Sequence, residues 1–206
     1  FKPAWDQPEA IKQLLEWINE WKKEQVLLWA TWTWKTFTMA NVIQDIQKPT
    51  IIMAHNKTLA AQLATEMKEF FPNNAVCYYI SYYDYYQPEA YMPKSDTFIE
   101  KTSQINEEIA KHRHIATQSL IERNDVIIIA SVSAIYWLWD PDDYKKLSIN
   151  LKMWEEISRN DFLRKLTDIQ YTRCFWSFKP WQFNVLWDIV EVFPPSSDDI
   201  IRIEFF

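Results

Sequence analysis

The sequence predicts an α/β protein: a parallel sheet over residues 1–147, followed by a separate α+β module. Three observations carry this. Strand-like and helix-like segments alternate up to about residue 147, as they do where helical crossovers join parallel strands. Val126-Ile127-Ile128-Ile129-Ala130 is continuously apolar, as a strand buried on both faces would be. Beyond 147–150 the texture changes to one helical stretch among several short strand-like runs.

The elements follow in order. Ile11, Leu14, Leu15 and Ile18 form a helical stripe between Asp6 and Glu20, with Pro8 in the first turn. Gln25-Val26-Leu27-Leu28 predicts a short buried strand, residues 29–36 a loop, and the stretch through Thr38–Ile43 a helix. Thr50–Ala54 is the next strand, and Asn56 can cap a helix running from about Lys57 to Phe70. Val76–Ile80 and Val126–Ala130 are further strands. From Leu147 a strand-like segment and a helix near Arg159–Lys165 precede strands at Asp168–Tyr171, Phe183–Leu186, Ile189–Phe193 and Ile200–Phe205.

Composition narrows the function. A chain of 206 residues can bury a sizeable core in one or two domains. No apolar run approaches the roughly 18 residues of a membrane span, and no leader-like stretch opens the chain, so a cytosolic location without a membrane partner is expected. Cys77 and Cys174 lie far apart without metal-ligand spacing, which sets aside redox and zinc chemistry. A net charge of -6 opposes a broad basic face, so DNA contact should be local or delivered by a partner. His55, His112 and His114 have no acid–base constellation around them and are read as structural.

Glycine is absent, while tryptophan occurs 12 times. Average usage predicts roughly 14 glycines, and none has a chance on the order of one in a million. The tryptophans fall where a backbone calls for glycine. Trp21 follows the first helical stripe, at the place of a left-handed residue just past a helix end. Pro180-Trp181 occupies the centre of a type II turn, and Trp187-Asp188 separates two strand runs as a hairpin turn would. In some bacterial lineages UGA specifies glycine, and a code reading UGA as tryptophan yields this pattern.

The same substitution marks Trp29-Ala30-Thr31-Trp32-Thr33-Trp34-Lys35-Thr36. A phosphate loop follows a strand, turns sharply and opens a helix, so that backbone N–H groups converge on an anion. The pattern G-x-x-x-x-G-K-[ST] adds a lysine for the β/γ-phosphates and a hydroxyl for Mg²⁺. Lys35 and Thr36 fill those roles, and glycine at 29 and 34 would complete the match. ATP and Mg²⁺ are the expected ligands. Carrying indoles at 29, 32 and 34, however, the loop should bind ATP badly or not at all, because the rings fill the phosphate space and resist positive φ.

Seven of the ten tyrosines, Tyr78, Tyr79, Tyr82, Tyr83, Tyr85, Tyr86 and Tyr91, fall between 78 and 91. Strand alternation accounts for about half of them as core. The remainder suits stacking on bases or a wedge into a duplex. Asp84, Glu89, Asp96 and Glu100 make the strip acidic, so ring faces rather than phosphate attraction would hold DNA.

Phe1-Lys2-Pro3-Ala4-Trp5-Asp6-Gln7-Pro8-Glu9-Ala10-Ile11, the loop at 29–36, Ala54-His55-Asn56-Lys57-Thr58-Leu59-Ala60-Ala61-Gln62 and Ser81-Tyr82-Tyr83-Asp84-Tyr85-Tyr86-Gln87-Pro88-Glu89-Ala90-Tyr91 closely resemble the B subunit of the UvrABC excision-repair nuclease. The resemblance runs over essentially the whole chain and puts glycine at the tryptophan positions within these motifs. It implies a P-loop, RecA-like motor of the superfamily 2 helicase type, with an inserted β-hairpin from 82 to about 105 and a second domain over 148–206. It also implies an ATPase that verifies DNA damage in nucleotide excision repair and the SOS response, loaded by the A subunit and preparing incision by the C subunit. Phe1 and Gln7 would lie at the adenine. Tyr82, Tyr83, Tyr85 and Tyr86 would stand at the base of the hairpin, with Tyr91 and Phe98 farther out. Ser131–Tyr136 is similar to the segment ending the next core strand. Arg159, Arg164 and Arg173 match partner-binding positions, while the expected basic run near 179–186 is thinned to Lys179, Asn184 and Leu186. Phe1 to Phe206 contains no Walker B acidic motif and no second motor half, so ATP turnover is not expected of this stretch alone. Two further readings stay open: a generic superfamily 2 helicase or translocase, and a non-catalytic module docking on a repair partner through 150–206.

Overall fold

The structure, a computed structural model, describes all residues except 1, 30–33, 82, 88–89, 93–96, 100–101, 106, 136–140, 147, 155 and 176–177. Along the chain run α1 (Gln7–Asn19), α2 (Lys35–Ile46), β1 (Thr50–Ala54), α3 (Lys57–Phe70) and β2 (Ala75–Tyr79). Four short strands follow, β3 (Tyr83–Gln87), β4 (Ala90–Met92), β5 (Thr97–Ile99) and β6 (Thr102–Ile105). Next come α4 (Glu107–Glu122), β7 (Val126–Ser131), a 3-10 turn (Val132–Ile135), α5 (Pro141–Lys146) and α6 (Arg159–Asp168). The last strands are β8 (Thr172–Arg173), β9 (Gln182–Leu186), β10 (Ile189–Phe193) and β11 (Ile201–Glu204). The chain forms two compact units, one of Phe1–Ile80 with Glu122–Ser133, the other of Ser81–Ile121 with Ala134–Phe206.

In the first unit a parallel sheet runs in the order β1-β7-β2. The continuous apolar run puts β7 at the centre, where all six residues are buried. Burial of a side chain such as Ile129 contributes about 1.5–3 kcal/mol, so β7 holds the sheet. Asn56 caps α3 as expected, its Oδ1 accepting the Leu59 N–H at 2.7 Å. That helix turns Ala60, Ala64 and Met67 inward at helical spacing. Arg123 donates to both Asp125 oxygens and, at 3.0 Å, to the Asn73 carbonyl, tying the turn before β7 to the turn before β2. This pairing holds the Asp125 carboxyl below its ordinary pKa.

The expected strand at Gln25–Leu28 is not formed, and Val26 and Leu28 stand 90% and 94% exposed. An extended segment becomes a strand only where a neighbour takes its N–H and C=O groups, and no described strand pairs with it. The expected strand at Asp168–Tyr171 is also displaced. Asp168 still belongs to α6, and the helix closes through Tyr171 N–H to the Leu166 carbonyl (2.9 Å) and Gln170 N–H to the Thr167 carbonyl (3.0 Å). These two bonds form a Schellman motif, and the strand begins only at Thr172. Residues 148–154 form no strand either.

In the second unit β3 pairs with β6 and β4 with β5, both antiparallel, a two-tier ribbon with an irregularity between Tyr83 and Tyr85. A four-stranded sheet follows in the order β11-β10-β9-β8, antiparallel except for β8 with β9. Phe162 and Leu166 of α6 pack with Phe183, Val190 and Val192, closing a core of its own.

Candidate functional site

The start of α2 is where the phosphate-loop pattern falls. Trp34 is its N-cap, at φ 57° and ψ 47°, and its carbonyl accepts the N–H groups of Phe37 (3.1 Å) and Thr38 (3.2 Å). An N-cap residue is normally extended. Here the left-handed turn swings the chain into a helix whose first residues are Lys35 and Thr36. Lys35 is exposed and Thr36 half-buried. The helix N-terminus presents orphan N–H groups and a positive dipole end, both suited to an anion. One turn further in, the Thr38 hydroxyl is fully buried and makes no hydrogen bond. Ala30, Thr31, Trp32 and Thr33 lie outside the described residues, while Trp29 is half-buried and is not one of the positive-φ residues.

The groups present fit a nucleotide in part. The helix start, the Lys35 ammonium and the Thr36 hydroxyl are the donor set that a Mg²⁺-bound phosphate chain takes. The Trp34 side chain does not fit, since its Cβ and ring stand where a phosphate loop brings bare backbone against its ligand. Gln7 is buried at the start of α1, and its Oε1 accepts the Ala4 N–H at 3.0 Å. Its own N–H donates to the Ala4 carbonyl at 3.1 Å, closing a turn whose first central residue, Trp5, has φ 53°. Phe1 lies outside the described residues.

On the ribbon, register sets Tyr91 opposite Phe98. Both rings are more than half exposed, at 57% and 61%, so the outer tier carries a solvent-facing aromatic pair. Tyr83, Tyr85 and Tyr86 lie on β3, against Ile105, Gln104 and Ser103. Tyr82 falls outside the described residues. Tyr78 belongs instead to the first unit, where its hydroxyl donates to the Lys57 carbonyl at 3.0 Å and burial raises its pKa.

The three arginines are not gathered into one cluster by a single element. Arg159 opens α6, donates to the Trp187 carbonyl and lies 3.6 Å from Asp188, bracing the β9–β10 turn. Arg164, five residues on and thus about 140° round the helix, is exposed and 3.8 Å from Asp161. Arg173 lies on β8 with its guanidinium over the Phe175 ring at 5.1 Å. Asn184 is buried, and its Oδ1 accepts the Val185 N–H, so it offers little to a partner surface. His114 touches Tyr144 and Trp181, and burial followed by the Arg113 charge lowers its pKa. Among the described residues no group of His, Cys, Asp and Glu is arranged to hold a metal.

Pattern reading missed two positive-φ tryptophans, Trp5 and Trp154. Neither closes a stripe or separates two strand runs; the signal for Trp5 was the resemblance of residues 1–11, which puts glycine there, and for Trp154 the chain-wide absence of glycine.

Comparison with known proteins agrees with this architecture. A family model described as "Type III restriction enzyme, res subunit" matches residues 1–130, and one described as "UvrB interaction domain" matches residues 149–206. Over its whole length the chain is 61% identical to UvrABC system protein B of Halalkalibacterium halodurans, covering 31% of that protein. It is 59% identical to the protein of that name from Bacillus cereus, covering 32%, and 57% identical to that from Bacillus subtilis, covering 31%. The chain therefore spans about a third of the length of these relatives. With the parallel sheet β1-β7-β2, the match over 1–130 makes the first part an incomplete helicase-like, RecA-type α/β fold.

Proposed function

Since the chain belongs to the family of UvrABC system protein B, we propose that it works as part of an ATP-dependent DNA-damage verification subunit of bacterial nucleotide excision repair. Residues 1–147 supply the first half of a motor, and 148–206 a partner-binding domain. Loading by an A subunit precedes verification, and a C subunit incises afterwards. The protein acts in the cytoplasm, within the DNA-damage (SOS) response.

The observation that carries this reading is the two-tier ribbon with Tyr91 and Phe98 exposed at its outer tier. A narrow antiparallel ribbon bearing exposed rings can enter between DNA strands and stack on bases, and the family resemblance assigns Tyr82, Tyr83, Tyr85 and Tyr86 to its base. An undamaged duplex resists such entry by its own stacking, so insertion reads local weakness rather than sequence. The match of 149–206 to an interaction-domain model supports partner docking there, with Arg159, Arg164 and Arg173 as the contacts.

When bound, ATP with Mg²⁺ would supply the driving force for strand engagement. Lys35 would hold the β/γ-phosphates, Thr36 would reach the metal, and Phe1 and Gln7 would lie at the adenine. The indoles of 29, 32 and 34 stand against that binding, and no hydrolytic step is assigned to residues 1–206.

The test replaces Tyr82, Tyr83, Tyr85 and Tyr86 with alanine in the full-length protein and measures damage-dependent loading and ATPase activity. Loading should be lost with ATPase activity spared. If ATPase activity falls while damage loading persists, the ribbon assignment is wrong.

A further inference from the structure

Among the described residues eight have a positive φ, and six of these are tryptophan: Trp5 (53°), Trp21 (60°), Trp34 (57°), Trp154 (65°), Trp181 (67°) and Trp187 (57°). The other two, Gln47 and Gln170, end α2 and α6, where a left-handed residue is commonplace. A Cβ makes this conformation costly, and only glycine visits it freely. Bulk or aromaticity does not account for the pattern. The chain holds 12 phenylalanines and 10 tyrosines, and none of those described has a positive φ.

Packing does not account for it either. All six indoles are exposed, from 40% at Trp181 to 89% at Trp187. Trp181 meets the rings of His114 and Tyr171, each at 5.3 Å, and Lys48 lies 5.5 Å from the Trp21 ring. Neither contact requires a left-handed backbone. The backbone around these residues is instead what a glycine would build. Trp21 occupies the C′ site of a full Schellman motif, with Trp21 N–H on the Ile18 carbonyl (3.1 Å) and Lys22 N–H on the Trp17 carbonyl (3.0 Å). Trp187 is the first residue of the two-residue turn joining Leu186 to Ile189. Trp181, following Pro180, sits where a type II turn needs positive φ, and its backbone bonds both Phe193 and Thr172. Trp5 leads the tight turn into α1, and Trp34 turns the chain into α2.

We infer that the cell makes this chain with glycine at positions 5, 21, 34, 154, 181 and 187, decoding UGA there as glycine. The absence of glycine from the chain and the concentration of this geometry at tryptophan, six of the eight described positive-φ residues, have then one cause. The misfit of the Trp34 ring to a phosphate disappears with them. The inference rests on the backbone and not on nucleotide binding, so either can fail without the other.

The test reads the codons at these six positions in the gene, together with the peptide masses of the chain isolated from its own cells. UGA at all six, with glycine in the matching peptides, is expected. UGG at any of them, or tryptophan in the peptides whatever the codon, overturns the inference.

Discussion

Trp187 shows what a single side chain costs here. It is almost fully exposed in a left-handed turn, so its ring gains little burial while its Cβ opposes the backbone by roughly 1–2 kcal/mol. Trp187→Gly should therefore raise the unfolding free energy by about 1 kcal/mol, part of the relief being offset by the looser unfolded chain. Urea titration checks it, and an unchanged or lower midpoint would count against the strain. Trp181→Gly should gain less, because it forfeits the edge contacts to His114 and Tyr171. Tyr171 makes a separate prediction. Burial, then the neighbouring Tyr144, pushes its pKa up to about 12 from 10.0. The folded state keeps the proton that the unfolded chain releases above about pH 10, so stability present below that pH declines as pH rises toward 12. Melting curves across this range should show the decline in the native chain and a shallower one in Tyr171→Phe. Trp21, Trp181 and Trp187 were legible in the sequence because helix ends and hairpin turns leave punctuation around them.

At the scale of the element, α3 and β7 could be read almost to the residue, because an Asn cap and a continuous apolar run each have one cheap structural solution. Gln25–Leu28 could not. Its apolar letters are those of a strand, but a strand also needs a neighbour, and pairing is not written in the segment itself. The strand expected at Asp168–Tyr171 failed for a local reason, since the Schellman close of α6 consumes those residues. The start of α6 is set by Ser158, whose Oγ accepts the Asp161 N–H at 3.1 Å. Ser158→Ala should cost about 1 kcal/mol, as loss of an N-cap does, seen as a lower denaturation midpoint with the spectrum of the folded state unchanged. For the ribbon, the pair Tyr91 and Phe98 became visible only through the register. Each alanine replacement should weaken binding to a damaged duplex by about 1–3 kcal/mol, measured in the full-length protein by fluorescence anisotropy. Wild-type affinity in both variants would remove these rings from the interface.

Taken as a molecule, the chain joins a three-stranded parallel sheet to a module with its own core, and each has its own hydrogen-bonded logic. The parallel sheet was legible from the alternation of strand-like and helix-like segments. The spread of Arg159, Arg164 and Arg173 was not, because the first two lie on α6 about 140° apart and the third on the short strand β8. The central claim concerns the start of α2, where we propose that the helix N-terminus, Lys35 and Thr36 take a phosphate chain and that tryptophan at 29, 32 and 34 opposes it. The most direct measurement is titration of a labelled ATP analogue, with Mg²⁺, against three full-length proteins. One has tryptophan at 29, 32 and 34, one has glycine at all three, and the last is the glycine form with Lys35→Ala. Saturable binding by the glycine form, with little or none in the other two, is expected. Equal affinity in the tryptophan and glycine forms, or binding indifferent to Lys35, would contradict the account.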